Sequence, residues 1–132
     1  MRSLAGVKDN VPKRVAIADD SPAFLAAAAS HVASLPGFVL AGTAGTARQA
    51  LALVESVMPD VLLLDLGLVP QRGLELVRRV KAGPRAPAVV ALALFHTPET
   101  LAAAMGAGAD ALVGKETFVA GLGDALASLF PA

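Results

Sequence analysis

Two apolar stretches of this chain each run directly into carboxylates. Residues 61–64 are followed by Asp65, and residues 15–18 are followed by Asp19 and Asp20. Continuous apolar runs are typical of parallel strands buried on both faces, and ligand sites of open α/β sheets lie outside the carboxyl ends of such strands. We therefore expect the three carboxylates to meet at one edge of a sheet. Close carboxylates repel one another, so such a pocket favours a bound cation.

The rest of the chain alternates between strand-like and helix-like segments, separated by short Gly- and Pro-marked connections. This alternation predicts an α/β fold with a doubly wound, five-stranded parallel sheet and helices on both faces. The predicted strands are 14–18, 38–41, 61–65, 88–94 and 109–113. The predicted helices are 22–35, 46–58, 73–82, 97–106 and 117–130, the first and fourth starting with a capping hydroxyl followed by proline.

Composition limits what this fold can do. The 132 residues, 55% of them hydrophobic, suit one domain, which we place at 14–132. Residues 1–13 lack the apolar core of a signal peptide, and we predict a disordered leader there. Lys plus Arg equals Asp plus Glu at 11 each, which predicts no nucleic-acid contact. The longest apolar runs are shorter than the roughly 20 residues of a membrane span. The absence of cysteine suits a cytoplasmic protein.

The expected pocket has the chemistry of a magnesium site. Mg²⁺ prefers oxygen ligands and keeps several waters, so Asp20, Asp65 and the backbone carbonyl of Gly67 would suffice. Lys115 follows the fifth predicted strand and adds an ammonium at the same sheet edge. Taken singly, each residue has a plainer interpretation, a turn or cap for the aspartates and a solvated side chain for the lysine. Their joint placement at the ends of strands one, three and five favours a functional site, with Asp65 as acceptor of a phosphoryl group.

These residues carry a resemblance to the receiver domains of bacterial two-component response regulators, the CheY-like fold. The matching segments are 17–22, 59–66, Gly73, 108–110 and Lys115, and the resemblance extends from residue 14 to about residue 130. It is closest to receivers of DNA-binding regulators that carry a helix-turn-helix. It implies a flavodoxin-like sheet of order 2-1-3-4-5. It also implies phosphoryl transfer to Asp65 from a histidine kinase or phosphotransfer protein, Mg²⁺ at Asp19 and Asp20, and Lys115 as counter-ion.

The chain departs from this family at its switch. The position that usually holds Thr or Ser at the end of strand four is Ala93, and the aromatic that usually precedes the lysine by three residues is Leu112. Metal and phosphate chemistry need neither, so we expect phosphorylation with a weak or rerouted conformational response. Phe95, two residues after Ala93, either shields an acyl phosphate from water or packs as an ordinary aromatic residue.

We interpret the chain as a receiver that signals to an unknown output protein, and not as a turnover enzyme. Homodimer formation is compatible with the family. One alternative is a pseudo-receiver that docks partners without phosphorylation, and another is a receiver fragment of a DNA-binding transcription regulator. A hydrolase-like phosphotransferase with an aspartyl nucleophile ranks last. That class needs a second carboxylate two residues after the nucleophile, where this chain has Gly67.

Overall fold

The computed structural model describes residues 11–68 and 72–131. Five strands alternate with five helices. The strands are β1 (Lys13–Ala18), β2 (Phe38–Ala44), β3 (Val61–Asp65), β4 (Ala88–Ala93) and β5 (Ala111–Gly114). The helices are α1 (Pro22–Ser34), α2 (Ala47–Val57), α3 (Gly73–Ala82), α4 (Pro98–Ala107) and α5 (Phe118–Leu129), and a 3₁₀ turn at Lys115–Thr117 joins β5 to α5.

The strands form one parallel sheet in the order β2-β1-β3-β4-β5, which confirms the predicted fold class and strand order. Side chains alternate between the two faces of the sheet, as a strand period of two requires. On β3, Val61 and Leu63 pack on the face covered by α1 and α5, and Leu62 and Leu64 pack on the face covered by α2, α3 and α4. The sheet therefore has a hydrophobic core on each side.

Several predicted boundaries differ from the structure. The prediction ended β2 at Ala41, but the pairing with β1 shifts there and resumes at Gly42. An extra residue at this point is a bulge, which bends a strand without ending it. The fifth strand starts at Ala111, later than predicted, and Asp110 before it uses a side-chain oxygen to accept from the amide of Val89 and to pair with Lys81. The 3₁₀ turn that begins at Lys115 was not predicted.

At the amino terminus, β1 begins at Lys13, one residue before its predicted start. Most of the predicted leader, residues 1–10, lies outside the described residues. Among the residues that are described, no helix is long and apolar enough to cross a bilayer.

Candidate functional site

Three carboxylates meet beyond the carboxyl ends of β1 and β3. Asp19, Asp20 and Asp65 each offer an oxygen, and these oxygens lie within 4.8 Å of one another. Asp19 is completely buried and Asp65 is nearly so, whereas Asp20 is exposed. The cluster therefore has a buried floor and one carboxylate at its mouth.

Asp19 is fixed by the backbone on both sides. Its amide donates to the carbonyl of Ala44 (3.0 Å), and its Oδ1 accepts from the amide of Ser21 (2.9 Å). Ser21 also caps α1, because its Oγ accepts from the amide of Phe24 (3.2 Å). Asp19 Oδ2 is buried and, within the described part of the chain, accepts no hydrogen bond of regular geometry. That oxygen instead faces an ammonium.

The ammonium belongs to Lys115, in the 3₁₀ turn that follows β5. Its Nζ lies 2.6 Å from Asp19 Oδ2 and 3.5 Å from Asp65 Oδ1. The side chain of Lys115 is only 18% exposed. One cation thus bridges the two buried carboxylates, and the three carboxylates together exceed its charge.

Asp65 ends β3, and its Oδ1 accepts from the amide of Gly67 (3.1 Å). Burial raises the pKa of Asp65 above its ordinary value of 3.8, since desolvation disfavours the charged form. The Gly67 amide opposes this increase, the Asp19 carboxylate adds to it, and the ammonium of Lys115 opposes it. Gly67 itself lies against the acceptor, since a methyl group added there would be 3.6 Å from each Asp65 oxygen.

Gly73 explains how α3 starts so close to this strand end. Its amide donates to the carbonyl of Leu66 (3.1 Å), and a Cβ atom at this position would overlap the Leu66 backbone. Only glycine leaves room for that approach. The residue immediately after Asp65 is thereby held by the helix that follows.

The predicted switch positions lie on β4 and β5. Ala93 ends β4 and pairs with Gly114, and Leu112 pairs with Ala91 and is packed in the core that faces α2, α3 and α4. Phe95, in the loop after β4, is 59% exposed.

Of the predicted site residues, the structure brings together Asp19, Asp20, Asp65 and Lys115, with Gly67 beside them.

The arrangement of these donors fits a hard divalent cation. Carboxylate oxygens are the ligands that such cations prefer, and the excess negative charge of the cluster favours a further positive one. A bound cation and the ammonium of Lys115 would also attract the oxygens of a phosphoryl group. The chemistry that the cluster supports is the binding of a cation beside a nucleophilic carboxylate.

One neighbour of the site was missed by the sequence analysis. The ring centroid of Phe24, on α1, lies 4.6 Å from Nζ of Lys115. The hydrophobic pattern of α1 marks Phe24 as apolar but does not show which charged group it faces.

Comparisons with known proteins agree with this geometry. Residues 15–127 match the family model of the response regulator receiver domain. The chain is 36% identical over 111 residues to protein-glutamate methylesterase/protein-glutamine glutaminase 2 of Cereibacter sphaeroides, covering 83% of this chain and 30% of that protein. It is 26% identical to the nitrate/nitrite response regulator protein NarL of Escherichia coli, covering 80% of this chain and 49% of that protein.

A solved two-component response regulator of the LuxR family, from Aurantimonas sp. SI85-9A1, has the same fold. The TM-score is 0.83 at 24% identity, with 90% of this chain and 85% of that chain covered. The chain thus spans 30% and 49% of the two curated relatives above and 85% of this structure.

The curated relatives correct the prediction that set this chain apart from enzymes. The methylesterase/glutaminase is an enzyme by its name, and the match lies in its receiver portion, so the comparison does not show an enzymatic activity for this chain. Receivers of this family accept a phosphoryl group on an aspartate and bind Mg²⁺ at an acidic pocket. They interact with histidine kinases or phosphotransfer proteins and with output domains. From its fold, its acidic strand ends and the match over residues 15–127, this chain belongs to the response regulator receiver domains of two-component systems.

Proposed function

We propose that this receiver binds Mg²⁺ and accepts a phosphoryl group on Asp65 from a phosphohistidine of a histidine kinase or phosphotransfer protein. The observation that carries the proposal is the cluster of Asp19, Asp20 and Asp65 within 4.8 Å, with Lys115 against the two buried members. No other group of three or more candidate metal ligands occurs among the described residues.

Asp65 is the nucleophile in this proposal. A carboxylate oxygen forms a bond to phosphorus, the P–N bond of the phosphohistidine breaks, and the imidazole keeps the electron pair. Burial removes water from the Asp65 carboxylate and raises its pKa, and the Gly67 amide and Lys115 stabilise the anionic form against that increase. In this proposal Lys115 neutralises charge on the transferred oxygens.

Asp19, Asp20, Asp65 and the carbonyl of Gly67 would hold the Mg²⁺. Once bound, the cation neutralises the phosphoryl oxygens and the carboxylates during transfer. Asp19 has its rotamer fixed by the amide of Ser21, and Asp20 remains exposed at the mouth of the cluster, where it can meet a hydrated cation.

The test is the intact mass of the protein after incubation with Mg²⁺ and acetyl phosphate. We expect one added phosphate that requires Mg²⁺ and is absent from Asp65→Asn. The matched control is Asp60→Asn. Asp60 immediately precedes β3, at the end of the strand away from Asp65, and its Oδ2 accepts from the amide of Arg14 (2.7 Å). Unmodified wild-type protein that also binds no Mg²⁺ would refute the proposal.

The proposal includes an atypical switch. Ala93 offers no hydroxyl to a phosphoryl oxygen. Leu112 and Ala93 both pack in the hydrophobic core on the face covered by α2, α3 and α4. We expect a phosphomimetic such as beryllofluoride to perturb amide resonances near Asp65 and to leave those of α4 and β5 little changed. Large changes throughout α4 and β5 would contradict this part of the proposal. In this proposal Phe95 slows hydrolysis of the acyl phosphate by shielding it from water.

Two alternatives keep specific support. The degenerate switch favours a pseudo-receiver that docks a partner constitutively, and partner binding that ignores both Mg²⁺ and Asp65→Asn would establish it. The second alternative is a receiver fragment of a DNA-binding transcription regulator, and its support is that the chain matches 49% of the longer response regulator NarL. In either case we propose a cytoplasmic protein that binds an output protein and contacts neither nucleic acid nor membrane through these residues. A homodimer is compatible with all of these proposals.

A further inference from the structure

Lys115 has a third contact that is not a carboxylate. Its Nζ lies 4.6 Å from the ring centroid of Phe24, in addition to its short distances to Asp19 and Asp65. An ammonium within about 6 Å of an aromatic centroid is attracted to the negative face of the ring. The ring is therefore a third group, beside the two carboxylates, that attracts the ammonium.

Phe24 is held by the same turn that fixes Asp19. Its amide donates to Oγ of Ser21, and the amide of Ser21 donates to Oδ1 of Asp19. The first turn of α1 thus connects the ring and the buried carboxylate through one capping residue. The two groups that face Lys115 on this side keep a fixed relative position.

A second aromatic residue packs against the Phe24 ring. Phe118 meets Phe24 edge to face, with centroids 5.1 Å apart and an interplanar angle of 76°. Phe118 begins α5, three residues after Lys115, so one short segment supplies both the cation and the supporting ring. Both rings pack against the core under α1 and α5, which restricts their motion.

We propose that Phe24 is a positioning residue for Lys115. Lysine has a flexible four-carbon stem and a strongly hydrated ammonium, which would otherwise turn towards water. The ring replaces part of that hydration without neutralising the charge, so the ammonium stays available to Asp19, Asp65 and an arriving phosphoryl group. This inference rests on the proposed function only for its effect on phosphorylation, since the positioning itself exists in the metal-free protein.

The first measurement follows the Lys115 side chain by NMR without metal or phosphate, assigned through the loss of its signals in Lys115→Arg. A ring at this distance shifts the side-chain resonances of Lys115 upfield. We expect that shift in the wild type and in Phe24→Tyr, which keeps the ring. We expect it to disappear in Phe24→Leu, which keeps apolar volume but has no ring.

The second measurement is the initial rate of phosphorylation by acetyl phosphate at saturating Mg²⁺. Losing a cation–ring contact in Phe24→Leu should slow the reaction about three- to tenfold, and Phe24→Tyr should stay within about twofold of the wild type. Unfolding midpoints of all variants, measured in the same buffer, identify any variant that is not folded.

The chain offers a matched control at its other end. Phe130 has Lys13 5.2 Å from its centroid and meets Phe38 edge to face at 6.2 Å. Phe130→Leu therefore removes the same kind of contacts away from the acidic cluster. It should leave both the Lys115 resonances and the phosphorylation rate unchanged.

Unchanged Lys115 resonances in Phe24→Leu would overturn the inference, as would an equal loss of rate in Phe24→Tyr and Phe24→Leu, which would mean packing alone. If the wild type takes no phosphate, the proposed function fails while the NMR comparison still decides whether the Phe24 ring lies against the Lys115 ammonium, which the inference requires. Loss of the shift with an unchanged rate would also overturn the role in phosphorylation.

Discussion

Two lysine–aspartate ion pairs lie at opposite edges of the sheet and differ in how completely they are satisfied. At the amino edge, Asp110 Oδ2 accepts from Lys81 Nζ (2.9 Å) and from the amide of Val89 (2.8 Å), and Lys81 also donates to the carbonyl of Pro87 (3.0 Å). Both partners are matched in charge and well hydrogen-bonded. This pair ties α3 to the start of β4 and β5.

At the carboxyl edge, Lys115 faces two buried carboxylates, and Asp20 adds a third negative charge nearby. One oxygen of Asp19 is buried without a regular hydrogen bond from the described residues. A purely structural arrangement would not leave such an excess of like charge, because it costs stability. Charge is thus balanced at the amino edge and in excess at the carboxyl edge, where we propose the site.

The largest expected effect comes from removing each lysine in turn. Lys115→Met should reduce the phosphorylation rate of Asp65 on the order of 100-fold, because a positioned charge that stabilises the transferred oxygens is lost. Lys81→Met should leave the rate within about twofold, measured as phosphate incorporation from acetyl phosphate. Equal losses in the two variants would mean that both lysines act through stability.

The same two variants differ in their response to Mg²⁺. In metal-free buffer we expect Lys115→Met to lose about 3 kcal/mol of unfolding free energy, since it leaves buried carboxylates without their ammonium. Added Mg²⁺ should restore part of that loss by linkage. Lys81→Met should lose about 1 kcal/mol because its pair is partly exposed, with no recovery in Mg²⁺. Urea unfolding with and without the metal measures both.

A smaller effect on the free energy of unfolding is expected from removing the charge of Asp65 or of Asp110, with opposite signs for the two. The pKa of Asp65 is raised in the folded protein, so its ionisation costs stability as the pH rises from 3.8 through that raised pKa. Metal-free Asp65→Asn should therefore be more stable than the wild type near neutral pH, with the advantage shrinking as the pH falls. Asp110→Asn should be less stable throughout the neutral range. A pH series of unfolding curves tests the contrast, which a destabilised Asp65→Asn would break.

The smallest expected effect concerns exposed apolar residues at the two edges. Phe95→Ser should shorten the lifetime of the acyl phosphate about twofold by admitting water, with a change in unfolding free energy below about 0.5 kcal/mol. Met105→Gln, an exposed position near the end of α4, should not alter the lifetime. Equal lifetimes for Phe95→Ser and the wild type would assign Phe95 to surface packing.

The carboxyl ends of β1 and β3 were predicted correctly because burial and charge change abruptly there. The step from Leu64 to Asp65 marks both the end of β3 and the centre of the site. The predicted end of β2 at Ala41 was wrong because a bulge leaves no mark in the hydrophobic pattern. The pairing with β1 resumes at Gly42. Strand β5 was placed too early because Asp110 lies in an otherwise apolar run, and its partner Lys81 is distant in the sequence.

Side-chain contacts between distant segments were beyond prediction for the same reason. Nothing near Phe24 in the sequence indicates that its ring lies beside Lys115, because that contact depends on how α1 and the turn after β5 approach each other. The predicted set of charged residues followed from strand topology alone, which places their Cα atoms at one edge. The aromatic neighbour needed the packed structure.

Asp19 and Asp65 share one detail that bears on the energetics of any ligand. In each, Oδ1 accepts from the backbone amide two residues later, Ser21 in one case and Gly67 in the other. Both side chains are therefore ordered before anything binds. A cation that enters loses little entropy to ordering these side chains, and we expect its binding to be driven by the release of water from the ion and the carboxylates. Calorimetry should accordingly show a favourable entropy and a small heat-capacity change, since little apolar surface is buried.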